Sequence, residues 1–260
     1  MNPRVVLVTG GASGMGRIFA QRMAERGSAV AVLDRDLVGL EDVAGNSSQI
    51  HAFHCDVSNL HEVRSCVEQV TRELGSIDRA VHCAAIMPTA PLVEQDAEEI
   101  RRLMSVNYGG TVNVAKTVMP TMLERGAGEL VIFGSTGGSV LVPECGAYCA
   151  SKAATNAFAE VLIEETRGRG VHVMLVCPPL VDTPLLLQAR DSSDPKMIRD
   201  SISRKRLADP ESIIDEVERG LSRGCEILLP GIEAKLVMLA RRIAPRLLWR
   251  LLHHFDRGTS

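Results

Sequence analysis

Val5-Val6-Leu7-Val8-Thr9-Gly10-Gly11-Ala12-Ser13-Gly14-Met15-Gly16 is the stretch whose reading decides the fold. A short apolar, β-branched run enters a glycine-rich turn, and helical spacing begins at once over Met15–Arg26. An apolar run without alternation reads as a strand buried on both faces. Glycine lets the backbone turn sharply and come close to a ligand. The free N–H groups and the dipole of a following helix favour an anion such as a pyrophosphate. Gly10, Ser13, Gly14, Met15 and Gly16 are therefore candidate phosphate-binding positions. The spacing is TGxxxGxG, not the GxGxxG of the commoner dinucleotide fingerprint. Alone, the turn reads equally well as a structural strand-to-helix connection.

Outward from this turn, apolar runs alternate with helical patterns. Strands are expected at Val5–Thr9, Ala29–Leu33, Ile50–Cys55, Arg79–Cys83, Glu129–Gly134, Val171–Cys177 and Glu226–Leu229. Helices are expected at Met15–Arg26, Leu37–Ala44, Leu60–Leu74, Glu98–Arg125, Tyr148–Arg167 and Pro210–Ser222. This order gives the α/β class: a single-domain, doubly wound, Rossmann-type parallel sheet of about seven strands with helices on both faces. Residues 1–231 form the expected dinucleotide-binding and catalytic domain. Within it, 182–207 is polar and irregular after Leu185-Leu186-Leu187, and its length suggests a lid. Residues 232–260 read as a basic amphipathic helical extension, interrupted or kinked at Pro245.

Composition narrows the function. A net charge of −3 and 3% aromatic residues give no general attraction to nucleic acid and few stacking platforms for it. Seven cysteines without a CxxC pair read as reduced thiols of a cytoplasmic protein. His51, His54 and Cys55 cluster in sequence, but strand alternation separates His54 from Cys55, so no metal is assigned. The charge is uneven: residues 232–260 hold six Lys/Arg against two acids, a net of +4. That segment either packs across a subunit interface or the substrate mouth, or meets an anionic membrane surface through residues 232–255. The second reading would place a cytoplasmic protein peripherally at the inner membrane surface.

Asp34 closes the second strand, where a carboxylate can accept from both ribose hydroxyls and repel a 2′-phosphate. Arg35 follows and could pair with that phosphate, so NAD is favoured and NADP left open. Asp56 and Val57 could cap an adenine pocket, or Asp56 or Ser58 could cap the next helix. Farther on, Tyr148 and Lys152 stand one helical turn apart, with Ser135 at the end of the preceding strand. A free tyrosine titrates near ~10, too high for a base at neutral pH. A nearby ammonium would favour the phenolate, and Ser135 could hold a substrate oxygen.

Together these motifs resemble the short-chain dehydrogenase/reductase family over roughly residues 4–231: Thr9–Gly16, Asp56-Val57, Asn107, Ser135, Tyr148-Cys-Ala-Ser-Lys152 and Pro178-Pro-Leu-Val-Asp-Thr183. The resemblance implies an NAD(P)-dependent oxidoreductase interconverting a secondary alcohol and a ketone, as a homodimer or homotetramer. It implies Tyr148 as acid/base, Lys152 as its tuner and ribose ligand, and Ser135 as the substrate-orienting group. Asn107 would anchor a water in a proton relay, and Pro178, Val181 and Thr183 would meet the nicotinamide. Leu185, Leu186, Leu187 and Met197 suggest a bulky apolar substrate. A non-catalytic NAD(P)(H) sensor on the same fold is the rival, since fold alone does not fix function.

Two departures stand out. His82-Cys83-Ala84-Ala85 occupies the place where the family usually has Asn-Asn-Ala-Gly. Loss of that bracing amide predicts lower stability or altered cofactor contacts. Pro179 replaces a common glycine and should stiffen its turn.

Overall fold

The computed structural model describes residues 4–246. Its centre is one seven-stranded parallel sheet in the order β3-β2-β1-β4-β5-β6-β7. The strands are β1 (Val5–Thr9), β2 (Ala29–Asp34), β3 (Ile50–His54), β4 (Arg79–His82), β5 (Gly128–Phe133), β6 (Val171–Val176) and β7 (Ile227–Leu228). β1 shows why the runs are apolar throughout. Val6 and Val8 enter one core layer with Phe19 and Met23, while Val5 and Leu7 enter the other with Val70 and Val118. Adjacent side chains point to opposite faces, so a strand covered twice has no polar side to offer. Each fully buried side chain such as Leu7 or Phe19 contributes roughly 2–3 kcal/mol relative to exposure.

One face carries α1 (Gly14–Glu25), α2 (Leu37–Gly45) and α9 (Pro210–Ser222). The other carries α3 (Leu60–Leu74), α5 (Gly110–Arg125) and α6 (Gly146–Thr166). The strand order reverses between β1 and β4, the topological switch point at which ligands of open α/β sheets bind.

Three expectations change in detail. The single helix expected over Glu98–Arg125 is α4 (Ala97–Met104), a π-helical turn (Ser105–Gly109) and α5. The wide turn contains Asn107, whose carbonyl accepts from the Thr111 and Thr155 hydroxyls. Spacing of apolar residues is nearly blind to one wide turn. The stretch 182–207, expected to be irregular, contains two helices, α7 (Pro184–Ser192) and α8 (Lys196–Ser203). Their buried faces are narrow (Leu186, Ala189 and Ile198), which left little periodicity to read. The cap of α3 is Asn59, accepting from the amides of His61 and Glu62, not Asp56 or Ser58.

α10 (Gly231–Ile243) follows β7 and ends at Ala244, just before Pro245. Residues 247–260, including most of the second half of the expected basic extension, lie outside the described residues.

Candidate active site

The glycine turn approaches its neighbours too closely for side chains. A Cβ on Gly16 would lie 2.3 Å from the Gly10 carbonyl oxygen. A Cβ on Gly10, whose φ is +66°, would lie 2.6 Å from the Ala84 amide nitrogen. The turn therefore presents bare backbone at the start of α1, where anions are favoured.

A groove of about 310 Å³ runs along the carboxyl ends of the strands. It is lined by Gly10, Ser13, Gly14, Met15, Gly16, Asp34, Arg35, Asp56, Val57 and Thr183 among the residues singled out from the sequence. Cys55, Cys83, Ala84, Ala85, Ile86 and Leu185 also stand in the wall. Pro178 and Val181 do not line it; Pro178 instead accepts from the Thr136 amide and hydroxyl, joining the turns after β5 and β6. Val181 is buried and makes a bridge with Ala208.

Asp34 does more than face the groove. Its carboxylate accepts from the Ala12 amide at 3.1 Å and from the Asp36 amide at 3.1 Å, tying the glycine turn to the end of β2. Asp56 is held locally, accepting from the Ser58 amide and hydroxyl at 2.9 and 2.7 Å.

Ser135, Tyr148 and Lys152 come together at the end of β5 and the first turns of α6. The Ser135 side chain lies close enough to the Tyr148 hydroxyl to favour its charged form. Ser135 Oγ also accepts from the Gly137 amide at 2.9 Å, capping the short 3₁₀ turn Thr136–Gly138. Lys152 donates to the Phe133 carbonyl at 2.8 Å. Burial pushes the Lys152 ammonium down to about 8, opposed by the Cys83 and Cys177 thiols. The Tyr148 phenol moves up from its ordinary value, first through burial, with the Ser135 side chain pulling the other way. The sequence expectation was that Lys152 would lower the Tyr148 value. Within the protein's own groups, desolvation outweighs any such effect, because α6 turns the lysine toward the Phe133 carbonyl.

Asn107 reaches this assembly through its side chain. Its Oδ1 accepts from the Ile86 amide at 2.8 Å, and its Nδ2 donates to the Ile86 carbonyl and to Ser151 Oγ. Ser151 in turn donates to the Tyr148 carbonyl at 2.8 Å. The strand β4 exit, the π turn and the first turns of α6 are thereby locked together.

One residue escaped the sequence reading. Asn156 accepts from the Ser135 amide at 3.3 Å and donates to the Ser135 carbonyl at 2.9 Å, gripping the backbone of that serine from both sides. Gly134 and Gly138 make room: a Cβ on either would fall 2.0 and 2.5 Å from Asn156 atoms. The signal was available, since Tyr148, Lys152 and Asn156 step by four along one helix face. Asn156→Ala should cost about 1–3 kcal/mol, because both Ser135 backbone groups lose a partner inside the protein. Urea unfolding measures that loss, and kcat should fall while the nucleotide Kd is unchanged.

The missing family amide has a replacement. His82 Nδ1 shares a 2.8 Å hydrogen bond with Thr9 Oγ1, linking β4 to β1 directly beneath the glycine turn. The imidazole thus supplies the cross-strand brace that Cys83 cannot. Its Nε2 is buried without a hydrogen-bond partner among the described residues.

A glycine-lined groove at the switch point of a parallel sheet, with Tyr148 packed against the cluster of Ile86 in its wall, defines a Rossmann-type α/β protein. Comparisons agree. The sequence profile of the "short chain dehydrogenase" family matches residues 4–194. D-threitol dehydrogenase of Mycolicibacterium smegmatis is 32% identical over 217 residues, covering 82% of this chain and 84% of that protein. Carbonyl reductase family member 4 of Xenopus tropicalis is 31% identical over 214 residues, covering 82% and 89%. Among solved structures, a short chain dehydrogenase/reductase from Burkholderia phymatum in complex with NAD superposes with a TM-score of 0.85 over 95% of both chains, at 21% identity. The 3-ketoacyl-(acyl-carrier-protein) reductase from Brucella melitensis complexed with NADH gives 0.77 at 26% identity, covering 86% of this chain and 95% of that one. The chain belongs to the short-chain dehydrogenase/reductase family and is an oxidoreductase.

Proposed function

We propose that this protein interconverts a secondary alcohol and a ketone, with Tyr148 as the acid/base. The observation that carries this reading is the convergence of Tyr148 on Ser135, with Lys152 on the same helix face and Tyr148 packed against the cluster of Ile86, a residue of the groove wall. In oxidation the phenolate takes the hydroxyl proton of the substrate as hydride leaves its carbon; in reduction the phenol returns it. Ser135 orients the substrate oxygen, and the Lys152 ammonium favours the charged phenolate as it forms. Asn107 positions Tyr148 through Ser151 and is the candidate anchor of a relay water. A nicotinamide dinucleotide would supply the hydride-accepting ring, and the bare backbone of Gly10–Gly16 together with the Asp34 carboxylate fit its pyrophosphate and ribose. Thr183, which lines the groove, stands as the candidate nicotinamide contact; Pro178 and Val181, expected beside it, lie behind the wall and would act only by shaping that turn.

NAD is the proposed cofactor, with Asp34 as the ribose reader and Arg35 as the feature that keeps NADP open. Asp34→Ala should raise the ratio of NADP to NAD kcat/KM by about tenfold or more, the effect of removing roughly 1.4 kcal/mol of repulsion. Because Asp34 also braces Ala12 and Asp36, both absolute values should fall. An unchanged ratio would remove Asp34 from the specificity machinery.

A bulky apolar substrate is supported by the cluster around Tyr148. Met87, Cys145, Cys149, Leu186 and Ile198 form its buried part, with Leu141, Val142, Leu185 and Leu207 packed on it. Leu187 points outward and Met197 lines a separate cavity of about 150 Å³, so neither belongs to that cluster. Helices α7 and α8 would serve as the lid within 182–207, and the proposed assembly is a cytoplasmic homodimer or homotetramer. The direct test mixes the protein with NAD+ and apolar secondary alcohols and follows absorbance of the reduced cofactor. Cofactor binding without turnover of any alcohol or ketone would overturn the reading.

A further inference from the structure

α10 leaves an apolar face without a partner among the described residues. Ile232, Leu236, Leu239 and Ile243 are 74, 59, 53 and 72% exposed, and their spacing of four, three and four sets them in one stripe. The opposite face is the one that packs. Ala234 is fully buried, and Arg241 donates to the Ser139 carbonyl at 3.1 Å, fastening the helix to the loop that follows Ser135. The orientation of α10 is thus set by contacts, and the stripe is turned outward by them.

Charge selects what covers the stripe. Lys235 and Arg242, seven residues apart, flank it on one side, and both are exposed. Arg246 is exposed just beyond the end of the helix. Glu233 is the only acid in α10. A second copy of the helix laid antiparallel over the stripe would bring Lys235 of one beside Arg242 of the other, a like-charge contact. A lipid surface bearing negative headgroups has the complementary sign and an apolar layer beneath. A helix of this pattern lies in the plane of such a surface, with its cations at headgroup level. No helix among the described residues is long and apolar enough to cross a membrane, so contact would be peripheral. The chain continues past Arg246 with Leu247, Leu248, Trp249, Arg250, Leu251 and Leu252, a sequence of the same apolar and basic character.

We propose that α10 docks the protein on an anionic lipid bilayer, with Ile232, Leu236, Leu239 and Ile243 entering the headgroup boundary and Lys235, Arg242 and Arg246 pairing with lipid phosphates. Through Arg241 and Ser139 the docked helix adjoins the loop of Ser135, which would bring the site close to substrates dissolved in the bilayer. The docking is independent of the redox reading and is measured without turnover.

The test is sedimentation of the full chain with vesicles of phosphatidylglycerol and phosphatidylcholine, against vesicles of phosphatidylcholine alone. The protein should pellet with the anionic vesicles, and added salt should release it. Replacing Lys235, Arg242 and Arg246 with Gln should weaken that partition by roughly a hundredfold. Leu236→Glu with Ile243→Glu should abolish it while leaving the thermal midpoint and nucleotide affinity unchanged. No pelleting of the wild type, or equal pelleting on both vesicle types, overturns the proposal. So does a Leu236→Glu/Ile243→Glu variant that changes the subunit number in sedimentation velocity, since the stripe would then be an interface between copies.

Discussion

Tyr148→Phe is expected to lower kcat by about 10²–10⁴-fold while nucleotide affinity is unchanged. The substitution removes one oxygen and keeps the ring that packs against the apolar cluster with Cys145 and Cys149. Folding should weaken by only about 1 kcal/mol, the typical net worth of one polar contact of a hydroxyl. The reason for the large kinetic effect is electrostatic. Burial already holds the phenol in its protonated form, so oxidation of an alcohol depends on whatever favours the phenolate at the moment of proton transfer. The proposed reading assigns that task to the ammonium of Lys152, one helical turn along and itself pushed down to about 8. Lys152→Ala should therefore lose turnover as well. Calorimetric titration with NAD+ separates binding from chemistry, and steady-state rates give kcat. A Phe variant within tenfold of the wild-type kcat would reject Tyr148 as the proton shuttle.

The second large effect is a loss of stability in acid that runs through His82. This imidazole is 2% exposed, and burial, then the Lys152 charge, holds it down at about 3, against 6.5 for a free histidine. Between these values the unfolded chain binds a proton that the folded chain does not. Stability must therefore fall as pH drops through 6.5 toward 3, and it is recovered above 6.5. At about 1.4 kcal/mol per pKa unit, the full window is worth several kcal/mol, a large part of the stability of an ordinary domain. His82→Asn returns the amide usual in the family and removes the titration. Denaturant unfolding at pH 7, 5.5 and 4.5 should show a steep decline for the wild type and a flatter one for the variant. Equal slopes would mean that other groups govern acid lability.

The brace at His82 also shows where sequence reading stops. The tetrapeptide His82–Ala85 announced a departure and suggested weakness. Only the folded register, with Thr9 paired to His82 across β1 and β4, reveals that the imidazole takes over the bracing. Likewise, the four-residue steps Tyr148, Lys152 and Asn156 were legible, but the grip of Asn156 on Ser135 needs β5 and α6 to be brought together. The direction of the Tyr148 shift lay beyond the sequence for the same reason. Helical spacing can bring a lysine to the same face as a tyrosine, but it does not say how much water either group has lost.

The amino-acid sequence by itself determined the parallel α/β class, the seven strands within a residue or two and the glycine turn at the first helix. It also singled out Ser135, Tyr148 and Lys152 as the candidate set. Those are statements about local periodicity, backbone freedom and residue type, which short stretches carry in full. Tertiary structure alone decided that Asp34 clamps Ala12, that Asn107 donates to Ser151, and that α10 turns Leu236 outward while Arg241 holds it to Ser139. Each of these joins residues far apart in the chain, and burial and pairing between distant segments exist only once the sheet has set their distance.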